Sequence, residues 1–442
     1  MKHIFFIGIL LFAQIAVAQE KIWTMEDCIR YAVEHNPGRA KQEAQNTIYK
    51  IDRQEAVAGF FPSLDARSNA SINFGRGIDP ETNAYISTNT FGNSYDVYSS
   101  MTLFDGLSQI YRARMAKINR LMGAQQLQDV KDQIALGVME IFFNVLYYKG
   151  TVNMAEQQLQ ESAHSLKQIQ RMEELGMKAI SDVAEIRAKE AEDRFLLTRQ
   201  KNLLRIEIIK LKEKMNFPIE NELLVVDSET PELINVSDAD ALTVYEQAMQ
   251  TLPKILSAQQ SLKATEAAYK IARGYLFPSL SFGAGFSTGF SRLMDEAPEM
   301  SFSEQLKNRQ GSYVGLALSI PIFDRLSRSS ESRRAKQRLV IARSDNEATL
   351  RQIYSEIEQA VADVRGLQEQ FRSAHEKMVA MLEAHKVNVR KYDEGLISAL
   401  ELTTSANRLL NARVEELYTN LQFQLKSKLL NYYKGETSWT EF

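Results

Sequence analysis

Residues 60–64 read FFPSL and residues 276–280 read LFPSL, nearly the same phrase twice, 216 positions apart. The surroundings repeat as well. At that offset Pro37 meets Pro253, Ala32 meets Ala248 and Ala56 meets Ala272. Past the phrase the offset becomes 219, and Phe104-Asp105 meets Phe323-Asp324, Ala116-Lys117 meets Ala335-Lys336 and Gly176 meets Gly395. One small length change followed by constant register marks an internal duplication of roughly 200 residues, too long for an ordinary solenoid repeat.

Each phrase leads into strand-like alternation of period two. After Ser63, the residues Leu64, Ala66, Ala70, Ile72 and Phe74 alternate with Asp65, Arg67, Asn69, Ser71 and Asn73. After Pro278, Leu280, Phe282, Ala284, Phe286 and Phe290 alternate with Ser281, Gly283, Gly285, Ser287 and Gly289. A later stretch sets Val314, Leu316, Leu318, Ile320 and Ile322 against Tyr313, Gly315, Ala317 and Ser319, and a weaker version occupies 95–104. Each has the ~10 residues that a tilted strand needs to cross a bilayer. An apolar outer face and a polar inner face are what a membrane β-barrel requires, because only a closed barrel pairs every backbone group in lipid. A soluble sandwich with one buried face is the alternative, but two hairpins more than 200 residues apart suit it poorly. Four strands do not close a barrel, which takes about eight. Strands that cross a membrane here therefore oblige several copies of the chain to share one barrel.

Prolines are absent between Pro80 and Pro218 and after Pro321, which predicts very long helices. From Asp105 to about Glu173 the helical pattern makes a rod of roughly 100 Å. Val138, Val145, Val152, Leu159 and Leu166 recur every seven residues, joined by Ile141, Tyr148, Ala155 and Ile169, a coiled-coil seam. The second half repeats it with Ile357, Val364, Phe371, Met378 and His385, accompanied by Leu367 and Met381. Returning helices carry Leu197, Leu204 and Leu211, and Leu402, Leu409, Phe423 and Leu430, ending near Asn216 and Gly435. Gly176 and Gly395 suit the left-handed residue that ends a helix. Ser398 with Glu401, and Asp182 with Glu185, have the spacing of capping boxes.

The start, MKHIFFIGILLFAQIAVAQE, combines a basic end, a short apolar run and Ala16-Val17-Ala18, the pattern of a secretory signal cut before Gln19. Formal net charge is −3 with no basic block, so nucleic acid is not an expected partner. The single cysteine, Cys28, is expected inside a helix. No catalytic or metal constellation is present: the five histidines are scattered. Gly283-Ala284-Gly285 with Gly289 lies within an alternating strand rather than in a dinucleotide fold. An enzyme is not expected, and no cofactor.

The duplicated FPSL entries, the LFDG and IFDR exits at 103–106 and 322–325, the proline-broken first helices and the hairpins EELGMKAISDV and YDEGLISALEL resemble the TolC-like outer-membrane efflux proteins over essentially the whole mature chain. The resemblance implies a mainly α fold with membrane β: a long coiled-coil α-helical barrel plus a trimeric 12-stranded outer-membrane β-barrel with four strands per chain. Residues 1–18 would be the signal peptide, 19–216 and 238–435 the two repeats, 217–237 a linker and 436–442 a tail. It implies a homotrimer in outer-membrane lipid with its helices in the periplasm, docked on a periplasmic adaptor and an inner-membrane pump. The duct would serve tripartite efflux or type I secretion. A periplasmic coiled-coil scaffold without transport is the alternative. Pro62 and Pro278 would mark helix-to-strand junctions. The adaptor-docking tips would be Leu175, Gly176, Met177, Lys178 and Ser181, and Glu394, Gly395, Leu396, Ser398 and Leu400. In the family pattern a tyrosine precedes the turn glycine by three and an acidic residue follows it by six. Tyr392 and Glu401 match those positions as pore or gate residues, with Asp182 as the first-half counterpart, although Glu401 equally suits a capping role. Thr404 and Ile397 depart from the family's acidic and arginine positions.

Overall fold

The computed structural model describes residues 22–78, 84–87, 89–226, 240–294 and 300–436. The expected signal peptide 1–18, the expected linker from 227 onward and the tail beyond 436 lie outside them. The first repeat runs β1 (Ile22–Trp23), α1 (Met25–His35), α2 (Pro37–Ala58), β2 (Ser63–Asn73), β3 (Arg76–Ile78), β4 (Tyr85–Ser87), β5 (Thr90–Phe104), α3 (Ser108–Glu174), α4 (Ile180–Met215) and β6 (Leu224–Val225). The second runs α5 (Ala241–Thr251), α6 (Pro253–Gly274), β7 (Ser279–Leu293), α7 (Phe302–Asn308), β8 (Gly311–Ser319), α8 (Ser327–Asp393) and α9 (Ala399–Lys434). Corresponding helices have identical lengths in the two halves: 11, 22, 67 and 36 residues. The halves differ between their strands, where the first carries the small β3–β4 ribbon and the second carries α7.

Proline explains the early helix breaks. Pro37 and Pro253 each open the second helix of a pair, where a missing N–H forfeits no helical bond. Left-handed caps end the returning helices, Asn216 at φ 54° and Gly435 at φ 75°. No described helix is long and apolar enough to cross a membrane.

The chain forms two compact units. One comprises the described parts of Met1–Ala40, Asp129–Thr251 and Tyr354–Phe442. Its core gathers Cys28 and Ile29 of α1, Val138, Met139 and Phe142 of α3, and Leu211 and Met215 of α4. Cys28 is fully buried in α1, as the sequence predicts. Trp23, Tyr31 and Phe217 meet edge to face with ring centroids 5.3–5.5 Å apart, beside the parallel β1–β6 pair. Of the heptad seam, Val138, Val145, Val152, Ala155, Ile169, Ile357 and Val364 are buried, and Ile141, Tyr148, Leu159, Leu166, Leu367, Phe371, Met378, Met381 and His385 are half-buried in the single chain.

The other unit, Lys41–Gln128 with Leu252–Ile353, carries an antiparallel sheet in the order β2-β5-β7-β8. Its central pair, β5 with β7, joins the two repeats. Register aligns the alternation of the strands as far as an irregularity in β5 between Thr102 and Phe104. Ala66 lies opposite Val97, Val97 opposite Phe286, Met101 opposite Phe282, and Phe282 opposite Leu316. One face therefore collects Leu64, Ile72, Phe91, Tyr95, Val97, Met101, Leu280, Phe282, Phe286, Val314, Leu316 and Leu318. The other holds Asp65, Arg67, Asn69, Ser94, Asp96, Ser281, Gly283, Gly285 and Ser319. On that polar face Arg67 is opposite Asp96, and its guanidinium sits 5.0 Å from the Tyr98 ring centre. The faint alternation of 95–104 thus joins the apolar face through Tyr95, Val97 and Met101, with Ser99 between them. Among the described residues, β2 and β8 each pair on one side only.

Two boundaries differ from expectation. β8 ends at Ser319, so Ile320 and Ile322 fall outside the strand. Pro321 has no amide to continue a ladder. α3 begins at Ser108 rather than Asp105, because Gly106 and Leu107 are left-handed at φ 67° and 70°. Asp105 instead caps the helix, its Oδ1 accepting the Gln109 N–H at 3.1 Å. The second repeat does the same, with Arg325 and Leu326 left-handed and Asp324 Oδ2 accepting the Arg328 N–H at 2.9 Å. The repeated Phe-Asp pairs are therefore helix starts. A Cβ on Gly106 would collide with the Gly274 carbonyl oxygen. Gly106→Ala is expected to cost on the order of 2 kcal/mol or more in thermal unfolding, and Arg325→Ala about 0.5 kcal/mol or less.

Candidate functional site at the helical hairpin tips

Both hairpin turns close alike. At the first, the Gly176 N–H donates to Glu173 O at 2.8 Å and the Met177 N–H to Met172 O at 2.8 Å. At the second, Gly395 N–H donates to Tyr392 O at 2.9 Å and Leu396 N–H to Lys391 O at 2.8 Å. The glycines stand at φ 74° and 73°, completing two Schellman motifs. The returning helices differ. Ser398 caps α9, its hydroxyl accepting the Glu401 N–H at 3.2 Å. The expected counterpart, Asp182 with Glu185, does not form: Ala179 is the N-cap of α4 and has no acceptor, and the Asp182 N–H donates to Ala179 O at 3.0 Å.

Tyr392 is buried in an apolar cluster with Ile169, Val183, Ile186 and Ala399, packed by Leu166, Ile397 and Leu402. The Lys178 ammonium of the first tip lies 4.9 Å from the Tyr392 ring centre. Burial, then the charges of Asp182, Asp393 and Glu185, push the Tyr392 hydroxyl above the usual phenol range. The structure thus brings Tyr392, Lys178 and Asp182 of the two halves together. Ile397 supplies apolar packing, and Thr404 donates to Leu400 O at 2.7 Å. Glu401 stands apart on the exposed first turn of α9. Leu175, Met177, Leu396 and Leu400 project into solvent, Leu396 at 68% exposure, and Gly176, Ser181, Glu394, Gly395 and Ser398 are exposed beside them. Pro62 and Pro278 each stand one residue before a strand, at Ser63 and Ser279.

Next to the Tyr392 cluster, and lined in part by Tyr392, Ile186 and Leu402, a cavity of about 630 Å³ opens between α3, α4, α8 and α9. His385 on its wall has Nδ1 3.2 Å from Ser405 Oγ, which accepts from Asn388 Nδ2 at 3.0 Å. With that lone pair occupied, the Ser405 hydroxyl is free to donate to a neutral imidazole. Burial lowers the His385 pKa below its ordinary 6.5, Glu161 opposing and Arg413 adding to the effect. A depressed histidine contributes stability that is present above 6.5 and is lost as pH falls through the folded value. His385→Gln is accordingly expected to reduce the loss of thermal stability between neutral pH and about pH 5, read as Tm against pH.

Sequence reading missed a second polar group here. Lys189 and Asp193 of α4 are buried, with Nζ 2.7 Å from Asp193 Oδ1 and 2.5 Å from Asn407 Oδ1 of α9. The signal was available: Lys189 and Asp193 follow buried Ile186 by three and seven residues, on the face that should be apolar. Among the described residues no group of three or more His, Cys, Asp and Glu is placed to hold a metal.

A model of the family described as outer membrane efflux protein matches residues 244–433. No curated protein matches the chain. Among solved structures, the fold is similar to VceC from Vibrio cholerae, an outer membrane protein, at TM-score 0.80 and 13% identity, covering 93% of this chain and 96% of that one. It is similar to the Campylobacter jejuni CmeC outer membrane channel at TM-score 0.79 and 15% identity, covering 93% and 85%. CusC, described in connection with transmembrane channel formation, gives TM-score 0.79 at 16% identity and 95% coverage of both chains. The second repeat thus matches the outer membrane efflux protein family by sequence, and the fold over nearly the whole chain is similar to that of solved outer membrane channels.

Proposed function

We propose that three copies of the chain close one twelve-stranded barrel in the outer membrane and form a passive exit duct for a tripartite efflux or type I secretion system. The observation that carries the reading is the sheet: four strands with one largely apolar face and, among the described residues, two edge strands paired on one side only. Such edges invite aggregation unless another copy covers them, and four strands cannot wrap a lumen. The helices then stand in the periplasm, their two similar hairpins per chain giving a pseudo-sixfold end. Exposed Leu175, Met177, Leu396 and Leu400 form the apolar contact for a periplasmic adaptor, itself joined to an inner-membrane pump.

Glu401, exposed at the second tip, lines the entrance as a ring of carboxylates that favours cations. Tyr392, Lys178 and Asp182 hold the two tips of a chain against each other. Planar-bilayer recording tests the duct. The wild type should conduct with cation preference, and Glu401→Ala should conduct with less of it. No conductance at all rejects transport, while an unchanged preference rejects only the carboxylate ring. Carbonate washing separates the duct from a periplasmic scaffold: the duct stays with outer membranes and the scaffold is released.

A further inference from the structure

The first 21 residues of α3, Ser108 to Gln128, contain Arg112, Arg114, Lys117 and Arg120 and no Asp or Glu. Arg112 is taken by Asp105, at 2.9 Å. Arg114 and Lys117 instead face α6 across a hollow of about 330 Å³, lined from the other side by Lys263, Glu266 and Lys270. The spacing makes this a designed face. Lys263 and Lys270 lie seven apart with Ala267 buried between them, and Arg114 and Lys117 lie three apart, so each helix turns its cations to the same gap. Tyr111 and Leu121 also line the hollow, with the Lys270 ammonium 5.4 Å from the Tyr111 ring centre. The one carboxylate in the hollow, Glu266, points to Arg343 of α8 at 3.9 Å. Arg114, Lys117, Lys263 and Lys270 make no ion pair among the described residues.

The four cations line one hollow and are exposed to water, which screens their mutual repulsion, while a multivalent anion seated in the hollow would be attracted by all four. We propose that the α3–α6 hollow is a binding site for a soluble multivalent oxyanion, a phosphate or polyphosphate group held by Arg114, Lys117, Lys263 and Lys270. Arg114 presents the planar fork that suits phosphate oxygens, and the lysines add point charges around it. Tyr111, in the same lining, offers a hydroxyl donor. A lipid headgroup is the less suitable occupant. Lys270 and Lys263 lie 4 and 11 residues before α6 ends at Gly274, about 6 and 16 Å along the helix, so a headgroup layer about 6 Å deep reaches the first of them and not the second.

The test is calorimetric titration of the purified full-length protein in neutral detergent with inorganic pyrophosphate. The expected result is saturable binding, weakened about tenfold or more in the double variant Lys117→Gln/Lys263→Gln. Pyrophosphate should raise the Tm of the wild type and leave that of the variant unmoved, while the variant without ligand should melt no lower than the wild type because the exchanged side chains are exposed. Lys270→Gln alone should weaken binding in the same direction. Absence of binding to the wild type overturns the proposal, as does equal binding by the variants. Binding confined to nanodiscs of anionic lipid overturns it in favour of a headgroup. Loss of oligomer in the variant without pyrophosphate binding to the wild type overturns it in favour of a neighbouring copy's carboxylates. Each of these outcomes leaves the bilayer conductance of the wild type, and so the proposed duct, unaffected.

Discussion

Lys189→Met is expected to destabilise the helical unit by about 3–5 kcal/mol. The ammonium is 8% exposed and its partner Asp193 1%. It donates to Asp193 Oδ1, and Asp193 Oδ2 has no hydrogen-bond partner among the described residues. Removing it strands a carboxylate out of water with nothing to offset desolvation, and deprives Asn407 of its donor. The replacement Lys189→Met/Asp193→Leu should recover most of the loss, because a buried ion pair is replaceable by apolar volume at little cost. Arg194 and Glu190 offer the control. They form another i,i+4 pair on the same helix, but Arg194 is 68% exposed, so Arg194→Ala should cost about 1 kcal/mol or less. Chemical unfolding followed by helical circular dichroism distinguishes the two. Equal effects of Lys189→Met and Arg194→Ala would mean that the Lys189 pair is solvated.

The second large effect concerns the apolar face of the sheet. Leu316 sits mid-strand in β8 opposite Phe282 and is 67% exposed in the single chain. If that face meets lipid, Leu316→Arg costs about 2–4 kcal/mol per copy, and three copies in one barrel suffer it together. The expected result is a protein lost from the carbonate-resistant membrane fraction. Ala317→Ser, one residue along and on the opposite face, should remain in that fraction at close to the wild-type level. Indifference to Leu316→Arg would place that face in water.

Helix lengths, breaks and turns were legible because each is decided locally. Pro37 and Pro253 cannot continue a helix, Gly176 and Gly395 supply positive φ, and seven-residue spacing forces a seam. Strand faces were legible wherever alternation was strong. β5 was not, since Asn93, Ser99 and Thr102 dilute its pattern, and only its register against Ala66 and Phe286 assigns it. Boundaries failed where a side chain chose a structure by capping. Asp105 and Asp324 belong to a helical pattern by periodicity, yet their carboxylates accept the first amides and set the start three residues later. At α4 the cap position falls on Ala179, which has no side-chain acceptor, and Asp182 lies in the first turn of the helix. At the candidate site, Tyr392 was found by its position relative to a glycine. The Lys178 contact, the Lys189–Asp193–Asn407 group and the α3–α6 hollow depend on which helices become neighbours, and that information is not local.

The oligomeric mass of the detergent-extracted protein, determined by native mass spectrometry, tests the central claim most directly. Three chains in one particle is the predicted result, since each chain brings a third of the wall. A single chain that stays folded and dissolves without detergent would contradict it, because its two edge strands would then need no partner.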